Sequence, residues 1–380
     1  MTRALGTDSG TRSYDIFGFD DETGEAFADE SIPREEMVRD PSSVLRRLRE
    51  LARAHRVDAV VASSGYGVPL TRAREATDEE IALATFISEE DAARGHRILG
   101  LRRLLRMIRD DPLLGEITYF TPGVVQLPTV PRYRKLNRVD MGTSDKVYSA
   151  ALAIARHAEE RGIDYGQVDI IVVEVGFAYT SAMAVRSGQV VDGVAGTAGF
   201  PGYLGSGCLD GEVAYAVSNV SRITKEALFR GGAASLSGLD PFRSSTSDFV
   251  AFGGEAYRAL VEFAAKDALA LLASTTPQAI YVSGRFSREP AFLEDLRAAL
   301  SAPLSGLGGS VKVERLRPSG RVAKEAAEGA ALIANGLAGG RYRRLVEVMR
   351  LKEASGTVFD HVNVYDRDEL IRRYSRLVGA

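Results

Sequence analysis

One cysteine in 380 residues is the first constraint that this sequence imposes. Cys208 alone closes no disulfide within the chain and supplies no four-cysteine metal or iron–sulfur site. A reducing, cytoplasmic setting is the matching expectation, with Cys208 as a small buried residue. Lysine is nearly as scarce: seven of the 48 basic residues are Lys and 41 are Arg. That bias points to no function. Charge of one sign is missing too. A net charge of -3 and no basic block give no footprint for nucleic acid. No run approaches the ~20 apolar residues of a membrane span. Asp8 interrupts the N-terminus too early for a signal peptide. The expected partner is a small molecule, with no nucleic acid and no membrane.

What remains is ordinary globular composition, 45% hydrophobic and 26% charged. The length suits two domains at roughly 150 residues each. An apolar strand from Arg3 runs into Thr7-Asp8-Ser9-Gly10-Thr11-Arg12-Ser13, and a second strand, Tyr14 to Phe19, follows at once. Ala26 to Ile32 reads as a third strand. A helix starts at Pro41, with Val44, Leu45, Leu48, Leu51 and Ala52 on one stripe. Val57 to Ala62 is a buried strand that ends in Ser63-Ser64-Gly65-Tyr66-Gly67. Glu89 to Arg109 reads as one basic amphipathic helix, with Arg102, Arg103, Arg106 and Arg109 on a solvated face. Thr118 to Pro131 is a crossover.

A second cycle then begins. Thr143-Ser144-Asp145 precedes a periodic helix, Val147 to Glu160. A buried strand over Val168 to Val175 leads into the turn at Gly176, and two more strands follow at Ser181 to Arg186 and Gln189 to Ala195. Helices are expected at Leu209–Val217, Ser221–Phe229 and, as one long element, Asp248–Ser274. The strand Ala279–Val282 ends in Ser283-Gly284-Arg285. A helix after Pro290, a strand near Val311, a small-residue helix (Val322 to Asn335) and a tail helix (Asp366 to Leu377) complete the chain. The β-β-β-α-β-α order thus occurs twice, as a structural repeat. The expected fold is α/β, with two mixed-sheet domains facing across a cleft. Residues 1–142 and 143–340 form the domains, and a helical tail, 341–380, packs back on the first.

Several residues carry possible chemistry. Ser9, Gly10 and Thr11 make a tight hairpin turn whose N–H groups and hydroxyls suit a phosphate, and Asp8 can hold a magnesium-bound water beside it. An ordinary hairpin turn is the alternative. Glu174 either binds metal through water or accepts local N–H groups. Asp145 is either a first-turn helix residue or a general base, with Asp140 as second choice for that base. Gly176, Thr180 and Ser181 either wrap phosphates or form a turn. Ser63, Ser64, Gly65 and Tyr66 would line the substrate side of the cleft. Tyr66 with Arg72, Arg74, Arg132, Arg134, Lys135 and Arg138 is a candidate anion-contacting set. His55, His96, His157 and His361 show no ligand spacing and are read as structural or surface residues.

Taken together, the turn at Gly6–Ser13, the segment EVGFAYTSAMAVRSGQVVDG at Glu174–Gly193, and YVSGRFSREPAFLEDL at Tyr281–Leu296 with KEAAEGAALIANGL at Lys324–Leu337 resemble the acetate and sugar kinase, chaperone ATPase and actin superfamily. That resemblance implies two actin-like, ribonuclease-H-like ATPase domains with ATP and magnesium between them. The first two segments would be phosphate loops. Ser283, Gly284, Arg285 and Gly329 would contact the nucleotide, and Asp8 and Glu174 would organise the metal. DAVVASSGYGVP (Asp58–Pro69), AMAVRSGQVVD (Ala182–Asp192) and EGAALIANGLAGG (Glu328–Gly340) are similar to short-chain carboxylate kinases, butyrate kinase above all, and to an archaeal family labelled as butyrate kinases by inference. MGTSDKVYS (Met141–Ser149) resembles the start of an acetate kinase helix. Such kinases are often dimers, so a homodimer is an open expectation.

The departures have their own meaning. Asp8 stands where carboxylate kinases carry Asn. Phe177 and Ala178 stand where their second loop carries glycines. Their two substrate-side arginines and crossover Asp would fall near Ser64, Gly205 and Thr121. The resemblance therefore implies an ATP-dependent phosphotransferase whose acceptor is open, an acid or an alcohol. The alternative is a nucleotide-binding regulator of the same fold. An iron–sulfur activator ATPase is disfavoured by the single cysteine.

Overall fold

A computed structural model describes residues 1–307 and 311–376. Two mixed sheets are built in the same order. In the first, β1 (Arg3–Ser9), β2 (Ser13–Asp20) and β3 (Ala26–Pro33) form an antiparallel meander, and β4 (Ala59–Val61) and β6 (Thr118–Phe120) add on in parallel beside β1. The short β5 (Thr71–Arg72) closes the edge, giving the order β3-β2-β1-β4-β6-β5. In the second, β7 (Ile170–Val175), β8 (Thr180–Arg186) and β9 (Gln189–Ala195) form the meander. β10 (Ala279–Ser283) and β11 (Lys312–Arg315) follow in parallel, giving β11-β10-β7-β8-β9. The expected α/β fold with two β-β-β-α-β-α halves is present. The tail helix is Arg367–Tyr374, and the expected helix end at Leu377, like the rest of 377–380, lies outside the described residues.

Two helices lie between the sheets, Ser144–Arg161 and Glu325–Leu337. The second is Ala- and Gly-rich for a steric reason. A Cβ on Gly6 of β1 would fall 2.1 Å from the Ala331 nitrogen, and a Cβ on Gly329 would fall 1.9 Å from the Tyr148 carbonyl oxygen. The helix is thus seated backbone-to-backbone on β1 on one side and on the Ser144–Arg161 helix on the other. Its flanking alanines fill a central core with Phe17, Val147, Val172 and Met183. The outer faces of the sheets have separate cores. Leu5 and Ile16 meet Met37, Leu48 and Leu104 on the first; Ile171 and Val282 meet Leu260, Phe286 and Leu296 on the second.

Five expectations need correction. The basic stretch is two helices, Glu89–Ala93 and Ile98–Asp110, with a break before Ile98. Arg102 is not on a solvated face. It is fully buried, and its guanidinium donates to the Thr85 hydroxyl (3.0 Å) and carbonyl (2.9 Å), closing the C-terminus of the Asp78–Ala84 helix. Asp248–Ser274 is broken because Gly253 and Gly254 adopt φ of +63° and +66°, giving helices Thr246–Phe252 and Gly254–Ala270. Ser221–Phe229 contains only one 3-10 turn, Glu226–Phe229. Cys208 is exposed, not buried.

The tail touches both halves. The helix Arg343–Val348 buries Leu345 and Val346 in the central core, and Phe359 and Tyr374 pack on Phe86.

Gly329→Ala sets two effects against each other. Helix propensity favours alanine by about 1 kcal/mol, while overpacking costs about 1–3 kcal/mol. A Cβ at 1.9 Å from backbone has no flexible neighbour to displace. The variant should unfold at lower urea concentration than wild type; an unchanged or higher midpoint would mean that this seat is loose.

Candidate functional site

The two hairpin turns face each other across a cavity of 460 Å³. Each turn ends a central strand, and each carries carboxylates held by a lysine. In the first half, Asp8 and Asp15 are direct cross-strand partners in the β1–β2 register. Two like charges in that position repel. Lys324, at the N-cap of the Glu325–Leu337 helix, places its Nζ between them, 2.9 Å from Asp8 and 2.8 Å from Asp15. In the second half, Lys146 Nζ lies 2.5 Å from Asp145 and 2.8 Å from Glu174. All four carboxylates are thus matched by two ammonium groups, both raised in pKa by these partners against their own burial.

The pairs are not equivalent. Burial pushes Asp8 up to about 6, with Lys324 opposing and Asp145, Asp15 and Glu174 adding to the rise. Asp8 Oδ2 takes the lysine, while Oδ1 is buried and has no partner among the described residues. Asp145 is half-buried, and Lys146 and the Thr143 hydroxyl hold it below the usual range. Glu174 has both oxygens engaged, Oε1 by Lys146 and Oε2 by the Ser149 hydroxyl at 3.1 Å.

Farther along the cleft, Asp140 accepts from the Thr197 N–H at 3.0 Å, and its carboxyl is raised, chiefly by burial. Lys225 reaches in from the segment after β9. Its Nζ donates to the Tyr66 hydroxyl at 3.2 Å and lies 3.7 Å from the Phe86 ring centre. Burial pulls it down to about 8, with Asp140 and Asp91 opposing. The same segment is tied to the first half by Arg222 on Glu90 at 2.5 Å and by the Lys225 N–H on Asp91 at 3.0 Å. Arg34 is buried, donates to the Ser9 hydroxyl, and is lowered to about 10 by that burial.

Most of the residues expected here do meet. Asp8, Ser9, Gly10 and Thr11 line one wall, and Asp145, Glu174 and Gly176 line the opposite one. Ser63, Gly65 and Tyr66 also line the cavity, as do Gly284 and Arg285. Five do not reach it. Ser64 is buried, donating to the Ala62 carbonyl and accepting from the Thr121 N–H. Thr180 is turned to Asp267 at 2.7 Å. Ser181 is fully buried, and Ser283 points at the Val173 carbonyl. Gly329 is the helix seat described above, not a nucleotide contact. Of the anion-contacting set, only Tyr66 borders the cavity; Arg74 pairs with Glu116, Arg134 with Asp192, and Lys135 donates to the Leu127 carbonyl. The cations that do line it are different: Arg12, Arg34, Lys146, Lys225 and Lys324 among them. Sequence reading missed the lysines, although their rarity was a usable signal: three of the seven in the chain border this one cavity.

The chain belongs to the family described as "Protein of unknown function (DUF1464)". The match to that family covers residues 6–364. No curated protein matches the sequence. Among solved structures, acetate kinase from Porphyromonas gingivalis is similar over 87% of this chain and 98% of its own, with TM-score 0.56 and 16% identity. A propionate kinase from Francisella tularensis aligns over 87% and 99%, with TM-score 0.55 and 14% identity. Acetate kinase from Entamoeba histolytica aligns over 80% and 87%, with TM-score 0.51 and 14% identity. At such identities the likeness shows the fold, the two-domain actin-like kinase fold.

Magnesium fits this site through one residue. The unpartnered Oδ1 of Asp8 is a free carboxylate oxygen at the cavity wall, and such metals take one or two carboxylates with water and phosphate oxygens. Glu174, expected to reach the metal through water, already takes one donor on each oxygen, Lys146 on Oε1 and Ser149 on Oε2.

Lys324→Met tests the first clamp. Removing one partner of a buried ion pair costs about 3–5 kcal/mol. Asp8 and Asp15 are 3% and 1% exposed, so the substitution would leave two opposed, buried carboxyls without their shared cation. A carboxyl whose folded pKa is raised contributes most stability at low pH and loses it as pH rises through that pKa. Asp8 stands at about 6 even with the lysine present. Losing the lysine raises Asp8 further, so the part of the deficit that Asp8 carries should shrink as pH falls towards about 6. Thermal melts between about pH 5 and 8 check this; a deficit independent of pH would contradict the clamp.

Proposed function

We propose that this chain is an ATP-dependent phosphotransferase that binds the nucleotide in the cleft between its two halves. The observation that carries the reading is the symmetric pair of turns with their lysine-held carboxylates, Asp8–Lys324–Asp15 facing Asp145–Lys146–Glu174. Phosphoryl transfer is catalysed mainly by positioning and by charge neutralisation. The Gly10 and Gly176 N–H groups are engaged within their turns by the Ser13 and Tyr179 carbonyls, so the Ser9 and Thr11 hydroxyls would be the groups that meet phosphate oxygens. Lys324, Lys146 and Arg34 supply positive charge where the phosphates would lie. Asp8 Oδ1 would hold magnesium, which neutralises charge on the transferring group. The likeness in fold to acetate and propionate kinases supports the reading.

The acceptor would sit at the Ser63–Tyr66 end, under Lys225. An alcohol acceptor needs a group to take its proton, whereas an acid does not. Asp145 suits that role poorly, because Lys146 and Thr143 occupy both oxygens and keep it ionised at low basicity. Asp140, raised by burial and free of an ion pair among the described residues, suits it better. This favours a hydroxyl acceptor over a short-chain acid.

A second reading rests on Phe177. Its ring lies under the Arg12 guanidinium at 4.8 Å and against Phe242 at 5.7 Å, so the second turn is filled by an aromatic cluster. That favours a regulator that binds nucleotide without transferring phosphate.

Calorimetry with ATP and magnesium, followed by an ADP-release screen over small alcohols and short-chain acids, separates the two. Asp8→Asn should weaken magnesium-dependent binding at least tenfold. Asp140→Asn should keep ATP binding and lose about 10²–10⁴-fold in acceptor-dependent release. Binding with no response to any acceptor would support the regulator, and no binding by wild type would remove both readings.

A further inference from the structure

A second cavity of 530 Å³ lies at the edge of the second sheet, and no residue lines both it and the cleft. It is bounded by the Ser144–Arg161 helix, β10, β11 and the Pro290–Ser305 helix. Five arginines face it, Arg156, Arg288, Arg297, Arg315 and Arg317, against two carboxylates, Glu160 and Glu314. Neither acid neutralises the cluster. Glu160 accepts from the Tyr281 hydroxyl at 3.3 Å, and Glu314 pairs with Lys312 at 3.8 Å.

The arginines are also underused. Arg156 is committed to the buried Glu328 at 2.7 Å. Arg297 donates its Nε to the Val313 carbonyl, a neutral acceptor. Arg315 reaches Glu325 only at 3.9 Å, and its Nε is buried with no partner among the described residues. Arg288 and Arg317 make no ion pair or hydrogen bond to a described residue. Like charges gathered around a concavity repel one another unless an anion joins them. Guanidinium forks match the oxygen geometry of phosphate, and one phosphoryl group accepts from several forks at once.

We infer that this cavity is a binding site for a small phosphorylated molecule, distinct from the nucleotide cleft. The volume is that of a small-molecule pocket. Leu316, fully buried, and Leu293 give it an apolar wall for the organic part of such a ligand. The site also has a physical link to the cleft. Arg315 approaches Glu325, the residue after Lys324, and Arg288 closes the same 3-10 turn that Arg285 opens at the cleft wall.

Inorganic pyrophosphate is the probe. Wild type and the Arg288→Glu/Arg317→Glu variant, both changed at exposed positions, are titrated by calorimetry without ATP, and their melting curves confirm that both are folded. The expected result is at least a tenfold loss of pyrophosphate affinity in the variant. Density for pyrophosphate between Arg288 and Arg317 in soaked wild-type crystals would accompany it. An identical isotherm in the variant, density in the cleft alone, or no heat at millimolar pyrophosphate would overturn the assignment.

Discussion

The contact on which the rest depends is the seat of the Glu325–Leu337 helix on β1. Gly6 and Gly329 remove the side chains that would hold the backbones apart, one on each side of the helix. The close approach fixes the axial position of the helix, and therefore the position of its N-cap residue. That residue is Lys324, and its ammonium has to fall within 3 Å of two buried carboxylates on two strands. Backbone contact on both faces leaves no flexible side chain at Gly6 and Gly329 to absorb a shift of the helix. The electrostatics of the cleft are thus set by sterics well away from the cleft.

The two halves share a plan and differ in how each completes it. In the second half the clamp is local: Lys146 adjoins Asp145 on the same helix and crosses to Glu174 on β7. In the first half it is remote, since Asp8 and Asp15 come from one hairpin and their cation comes from near the far end of the sequence. Burial acts on both sets of carboxyls, and among the described residues Asp8 Oδ1 is the one fully buried oxygen of the four carboxylates without a partner. Burial dominates the raised pKa of Asp8, whereas Lys146 and the Thr143 hydroxyl hold Asp145 below the usual range.

Much of the architecture was legible from pattern. Strands flanked by Gly and Asp turns, the Pro41 helix start with its apolar stripe, and the repeated three-strand meander all follow from short-range rules that the packing obeys. The turn residues Asp8 to Thr11 and Gly176 were legible for the same reason, because a hairpin turn is local. What could not be read depended on partners far away in sequence. Thr180 and Ser181 look like phosphate-loop hydroxyls, but strand alternation sends them to opposite faces of the sheet, both buried, with Thr180 on Asp267. Gly329 looks like part of a nucleotide motif until Tyr148 is placed against it. Arg102 has the spacing of a surface arginine, and only the folded Asp78–Ala84 helix supplies the carbonyls that bury it.

The remote clamp bears on how the chain reaches its folded state. Residues 1–142 carry the β1–β2 ladder, but neither the helix that packs on β1 and β2 nor the cation between Asp8 and Asp15. Both defects are cured by one segment, 324–337, which arrives after the whole second sheet has been made. The first half is therefore dependent on the last for its core and its charge balance. Closing so long a loop is entropically slow, and it gives folding a late, non-local step.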